Sequence, residues 1–364
     1  MKLRYALIGC GRISVNHIAA AMNNSDRLEI VAVCDPIPEN MERVVAPVPY
    51  ADQVKRYADY RVMLSELKPD LCAIATESGY HAEIALNCIA AGCNLIVEKP
   101  IALSLSDADK MIAAAKEKGV ALCACHQNRF NKSVQKIREA VEEGRFGRLL
   151  HGAAHIRWAR NRNYYAQAPW RGTWAQDGGA LMNQCIHNID LLRWMMGDEV
   201  TEVSAYTDRL IHDYIEAEDL GLAVVKFKNG SYGLIEGTTN IFPENLEETL
   251  YLFGEAGTVK AGGKSVNLIE EWKFADGMDD SSAIKEQFGE NPPNVYGFGH
   301  TPLYSDVISA ILEGREPYVN GEAGRRALEM VLAIYKSAAE GRPVRLPLTD
   351  VSTLDFAGRF DKKE

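Results

Sequence analysis

The chain of 364 residues is too long for one ordinary hydrophobic core and implies two domains. With 47% hydrophobic and 25% charged residues it has a globular composition, and no apolar run approaches the roughly 18 residues that mark a membrane span. A formal net charge of −10 without any basic run excludes a nucleic-acid surface, so an anionic ligand would have to be held by local arginines.

The opening Met1-Lys2-Leu3-Arg4-Tyr5 leads straight into a strand, without the apolar core and cleavage site of a signal peptide. Eight cysteines include no CxxC pair, and Cys72, Cys88, Cys123, Cys125 and Cys185 stand among apolar residues. Buried thiols of this kind belong to a reducing compartment, so the expected location is cytoplasmic. Adjacent strand residues point to opposite faces, which argues against a zinc site from Cys123, Cys125 and His126, and no metal is expected.

Residues 3–8 read as a buried strand, followed by Gly9-Cys10-Gly11-Arg12-Ile13-Ser14 and a helix over about 15–22. In such a turn the first glycine permits the bend, and the second lets the backbone approach a pyrophosphate resting on the helix N-terminus. Ser14 occupies the third glycine position and is small enough to keep helix and strand close. A second strand, 28–34, ends in Asp35, about 24 residues beyond Gly11. A carboxylate there accepts hydrogen bonds from the adenosine ribose and repels a 2′-phosphate, which favours NAD over NADP. The plainer reading is a cap for the helix after Pro36.

Helices at 59–68, 79–91 and 106–118 alternate with strands at 70–75, 93–97 and 120–125. This alternation predicts an α/β domain over residues 1–125, a Rossmann-type, doubly wound parallel sheet with helices on both faces. Such sheets bind ligands at the carboxyl ends of their strands, where Thr76, Lys99 and Gln127 all fall. Lys99, fixed by Pro100, suits donation to a substrate oxygen and stabilisation of an alkoxide. Its alternative is a surface ion pair with Glu98.

Arg157, Arg160, Arg162 and Arg171 are interleaved with Tyr164, Tyr165, Trp170 and Trp174. Arginine forks bind carboxylate or phosphate and aromatic faces stack on sugars, which makes Tyr164 and Arg171 candidate substrate contacts. Alternatively the aromatics pack under the loop and some arginines reach a neighbouring subunit. Gly178-Gly179 then opens a helix, in which Asn183 and His187, four apart, share one face. A histidine there can take a proton near neutral pH, although a histidine that only satisfies a buried polar contact has the same spacing.

The glycine turn, Glu98-Lys99-Pro100, and the Gly-Gly helix with His187 and Asp190 resemble, in that order, the Gfo/Idh/MocA family of nicotinamide-dependent sugar and polyol oxidoreductases. The resemblance extends to Trp170-Arg171-Gly172-Thr173-Trp174, to Gly314-Arg315, and to the segments 321–329 and 333–338. It implies an α+β second domain over residues 126–364, with an open, mainly antiparallel sheet and C-terminal helices packing back on the first domain. Stretches at 202–209, 223–227, 232–237 and 249–253 read as strands of that sheet, with a turn at Lys228-Asn229-Gly230-Ser231. A homodimer or homotetramer formed through the sheet is implied as well.

On this reading Gly9, Gly11, Arg12, Ile13 and Asp35 hold NAD together with Thr76, His81, Glu98, Lys99 and Gln127. The resemblance makes Lys99 the residue that polarises the reacting hydroxyl and His187 the general acid/base. The sugar would meet Lys99, Tyr164, Arg171, Asn183 and His187. Inositol dehydrogenase-like members commonly carry Asp four residues before the histidine. Asn183 resembles instead the branch that oxidises the 3-hydroxyl of UDP-N-acetylglucosaminuronate. The expected function is therefore NAD-dependent oxidation of a secondary hydroxyl, at C3, of a nucleotide-activated N-acetylhexosaminuronate. Alternatives are a glucoside 3-dehydrogenase, an inositol dehydrogenase, a hydrolase working through transient oxidation, and a regulatory protein that binds NAD and sugar without turnover.

Overall fold

The structure, a computed structural model, describes residues 2–197, 199–292 and 294–361; Met1 and Glu364, the outer ends of the expected domains, lie outside the described residues. The chain forms two compact units, Met1–His126 with His300–Arg325, and Gln127–Gly299 with Arg326–Glu364.

The first unit is built on β1 (Leu3–Ile8), β2 (Leu28–Cys34), β3 (Lys55–Tyr57), β4 (Leu71–Ile74), β5 (Asn94–Val97) and β6 (Leu122–Ala124). All pair in parallel, in the order β3-β2-β1-β4-β5-β6. β4 and β6 are buried along their whole length, as strands covered by helices on both faces must be. Strand order reverses between β1 and β4, and doubly wound sheets take their ligands in the crevice outside the carboxyl ends at that point. β1 runs into Gly9 and β4 toward Thr76, so the glycine turn lies at the reversal.

The expected helices are found at Ser14–Asn23, Tyr60–Leu67, His81–Ala90 and Leu105–Lys118. Asp59 caps the second by accepting from the Arg61 N–H, and Ser104 caps the last by accepting from that of Asp107. β3 and the helix Pro38–Val45 lie outside the expected alternation. β3 is a three-residue edge strand, Lys-Arg-Tyr, without an apolar run to announce it.

The second unit carries β7 (Leu149–Arg157), β8 (Val200–Asp208), β9 (Leu220–Phe227), β10 (Tyr232–Thr238), β11 (Glu247–Gly254), β12 (Gly257–Gly262), β13 (Leu268–Phe274) and β14 (Val344–Arg345). Their order is β13-β12-β11-β7-β10-β9-β8-β14. The described pairings are antiparallel except that of β7 with β10. Period-two burial fits a sheet covered on one face: Ala223, Val225 and Phe227 of β9 are buried, while Leu222 and Val224 are exposed. The helix Ile186–Met196 packs along β7, β10 and β11. Gly221 and Gly237 make room for Leu181 just before it, because a Cβ on either would lie 2.5 or 2.6 Å from the Leu181 methyls. Among the described residues no helix is long and apolar enough to cross a membrane.

Candidate active site

In the first unit the glycine turn is fixed from below. Gly9 has φ +91° and a Cβ there would meet the Ala75 carbonyl carbon at 2.6 Å, so only glycine lets β1 turn over the end of β4. At Gly11 a Cβ would meet nothing within 4 Å, and the turn therefore opens onto space beside the N-terminus of Ser14–Asn23. Ile13 has no side-chain acceptor for the first helical N–H groups, a cradle that fits a diphosphate. The exposed Arg12 side chain adjoins the turn, whereas buried Ser14 donates to the Gly11 carbonyl. Asp35 is buried and accepts from the Cys10 N–H at 2.8 Å and the Ile37 N–H at 2.9 Å. It thus ties the glycine turn to the end of β2; the helix that follows, Pro38–Val45, has no side-chain cap bond, so the capping alternative does not hold. These residues fit an adenine dinucleotide.

The end of β5 is held by buried side chains. His81 sets Nδ1 2.7 Å from the Pro100 carbonyl and Nε2 3.2 Å from that of Thr76. Burial pushes this imidazole below its ordinary range, so the neutral ring donates through the shorter contact, joining the ends of β4 and β5. Glu98 turns its carboxylate inward, 3.0 Å from His17 Nε2 and 3.7 Å from His300 Nε2, and accepts from the Lys99 N–H at 3.1 Å. Burial alone would raise this acid, but the bonds to His17 and His300 outweigh it and hold Glu98 well below the usual carboxylate range. His17 Nδ1 lies 2.7 Å from the Tyr304 hydroxyl, which lies 2.8 Å from that of Tyr5. Cys125 completes this group, its donor atom and those of His17, Glu98 and His300 lying within 4.8 Å of one another. Lys99, half-buried, follows directly on this anchored residue.

In the second unit the Gly-Gly stretch departs from the expected single helix. Leu181–Cys185 forms a π-helical turn, and the α-helix runs over Ile186–Met196. A side chain distant in sequence accounts for it: Glu218, buried beneath the turn, accepts the Leu181 N–H at 2.7 Å. The Tyr335 hydroxyl lies 2.8 Å from both the Gly178 carbonyl and Glu218. The hydroxyl is the donor to both oxygens, and burial pushes Glu218 up to about 8 despite this bond and that from Leu181. Despite the π-turn, Asn183 and His187 alone are not buried between Gly178 and Met196. His187 Nε2 lies 3.4 Å from Gln127 Nε2, which can only donate, so the imidazole nitrogen is the acceptor. The Asn183 amide nitrogen donates to Asp177.

His187 is located by ion pairs that its neighbourhood in sequence did not reveal. Arg129 grips Asp190 through two bonds of 2.7 and 2.6 Å, and Arg193 adds a third at 3.1 Å. All three side chains are buried, and burial lowers Arg193 to about 10. This fork joins the turn Gln127–Phe130 to the helix and thereby sets Gln127 against His187.

The arginine-rich loop sorts into separate roles. Arg171 donates to the Tyr164 hydroxyl at 2.8 Å and lies over the rings of Tyr164 and Trp170, both at 4.5 Å. Arg160 lies over Tyr164 at 4.8 Å, and Gln184 of the π-turn donates to the Tyr164 hydroxyl at 3.0 Å. Arg157 is neutralised by Glu236 and Glu247, and Arg162 faces Asp213 at 3.5 Å. Trp174 is core rather than a sugar platform, buried against Tyr335, Phe356 and Phe360, because the chain's last turns fold over it.

Two family profiles match the chain: residues 3–126 fit the Gfo/Idh/MocA oxidoreductase family's NAD-binding Rossmann fold, and residues 138–346 its C-terminal alpha/beta domain. Among solved structures, the WlbA dehydrogenase of Bordetella pertussis in complex with NADH and UDP-GlcNAcA is 39% identical, with a TM-score of 0.88, over 96% of this chain and 99% of that one. The corresponding WlbA complex from Chromobacterium violaceum is 37% identical at a TM-score of 0.87, over 96% and 97%. Myo-inositol 2-dehydrogenase of Thermotoga maritima is 26% identical over 94% of this chain and 98% of its own length. With both domains matched in order, and with a glycine turn open to a diphosphate, the chain belongs to the Gfo/Idh/MocA family and is an NAD-dependent dehydrogenase.

Proposed function

We propose that this enzyme oxidises the C3 hydroxyl of a nucleotide-activated N-acetylhexosaminuronate. The observation that carries the reading is the half-exposed pair Asn183 and His187 on an otherwise buried segment, in a chain 39% identical to a dehydrogenase crystallised with UDP-GlcNAcA. Bound NAD supplies the two-electron acceptor. Gly9, Gly11, Arg12 and Ile13 receive its pyrophosphate on the helix N-terminus, and Asp35 its adenosine ribose. Thr76, His81, Glu98 and Gln127 shape the strand ends around it. His187 takes the hydroxyl proton, and Lys99 stabilises the negative charge that grows on the oxygen. Arg171, braced on Tyr164 and Trp170, offers a guanidinium to the uronate or the diphosphate.

A homodimer or homotetramer through the open sheet face belongs to the same reading. Tyr206, Leu222, Val224, Tyr232 and Leu234 are between 43% and 80% exposed. Leu222 pairs with Tyr206, and Val224 with Leu234, so they form a contiguous apolar patch. The eight free and buried cysteines suit a reducing, cytoplasmic setting.

Stopped-flow NAD reduction with UDP-N-acetylglucosaminuronate, a phenyl glucoside and myo-inositol separates the alternatives. The highest kcat/KM is expected for the nucleotide sugar. A preference for the glucoside or for inositol would transfer the enzyme to that branch.

A further inference from the structure

The Asn183 amide, four residues before His187, is in contact with a buried carboxylate. Asp177 is 1% exposed and sits at the entrance to the Gly-Gly turn. Its Oδ2 accepts the Gly172 N–H at 2.6 Å, and its Oδ1 accepts the amide nitrogen of Asn183. Its own N–H donates to the Thr173 carbonyl at 3.1 Å, so backbone fixes the carboxylate on both sides. An amide has two unlike ends, and only an anchored acceptor makes one orientation the stable one. With its nitrogen committed to Asp177, Asn183 keeps its oxygen as its acceptor.

We propose that Asp177 is a positioning residue for the dehydrogenase reaction: it places a buried negative charge against the Asn183 amide and locks that carboxamide in one orientation on the segment that carries His187. This rests on the functional reading above. The geometry dictates how substitutions behave. In Asp177→Asn one oxygen must serve two donors, Gly172 N–H and Asn183, and one buried bond is lost. In Asn183→Asp two carboxylates face each other. In the double variant every bond returns: the new carboxylate at 183 accepts from the amide nitrogen at 177, whose oxygen still accepts from Gly172.

The test measures NAD reduction with UDP-N-acetylglucosaminuronate in the full-length enzyme. In parallel, it records the side-chain amide NMR signals of Asn183, assigned by their disappearance in Asn183→Asp. Losing one buried hydrogen bond gives roughly a 10- to 100-fold fall in kcat in each single variant, with KM for NAD unchanged. The double variant should recover to within about tenfold of wild type, and the Asn183 amide protons should lose their slow solvent exchange in Asp177→Asn. Losses that multiply in the double variant, or amide signals indifferent to Asp177→Asn, would overturn the assignment. If the enzyme oxidises no sugar, the functional reading falls, and the amide signals, which need no substrate, still decide whether Asp177 orients Asn183.

Discussion

Replacing His187 with alanine removes the group assigned to take the proton, and loss of a positioned base typically costs about 10²–10⁴ in rate. kcat should fall within that range while NAD affinity, read by titration of the bound cofactor's fluorescence, stays near wild type. Arg171→Ala should instead raise KM for an anionic sugar and leave KM for myo-inositol alone, because only the former needs the guanidinium. A third residue acts through protonation. Glu218 keeps its proton to about 8 in the folded chain, against an ordinary 4.5. The folded state therefore binds more protons between those values, and this group's contribution to stability declines as pH rises through them. Glu218→Gln cannot ionise. Urea melts at about pH 5 and pH 8 should show the wild type losing stability relative to the variant as pH rises. The glycine turn, Asp35, Lys99 and the Asn183/His187 pair stand out in the sequence as candidates because each residue type carries its chemistry in a recognisable frame. Asp177, Gln184 and Glu218 do not, since their importance comes from partners that only folding brings near. Trp174 resembled a sugar platform because it stands among arginines and other aromatics in sequence, whereas its neighbours in space are Tyr335 and Phe356.

At the scale of elements, the segment from Leu181 to Met196 depends on buried charge at one end and a buried neutral acid at the other. Asp190→Asn would leave Arg129 and Arg193 buried without their carboxylate, and breaking such a pair costs about 3–5 kcal/mol. Denaturant melts should show a loss of that order. Apolar periodicity disclosed the helix, but the π-turn answers to Glu218 and Tyr335, which no local pattern encodes. The buried strands of the first unit and the alternating β8, β9, β10 and β11 were legible, as continuous apolar runs and as period-two patterns, whereas β7, β12 and β13 were not among the expected strands. β3 and β14, with three and two residues, carry no such signal; they exist because a neighbouring strand offers an edge.

For the whole molecule, both sheet types were legible, the parallel one from the alternation of strands and helices and the mainly antiparallel one from the family resemblance. The return of His300–Arg325 to the first unit was less so, since the partners of its helix His300–Glu313, Tyr5 and His17, lie nearly three hundred residues upstream. The exposed apolar patch on β8, β9 and β10 should hold copies of the chain together, so placing glutamate at both Val224 and Leu234 should yield a smaller species in sedimentation velocity at unchanged thermal stability of the fold. The most direct test of the central claim uses UDP-N-acetylglucosaminuronate deuterated at single ring carbons, with NAD reduction followed in one turnover. Slower reduction with deuterium at C3, and no change with deuterium at C2 or C4, is the predicted result. An isotope effect at another carbon, or no reduction of NAD at all, would contradict it.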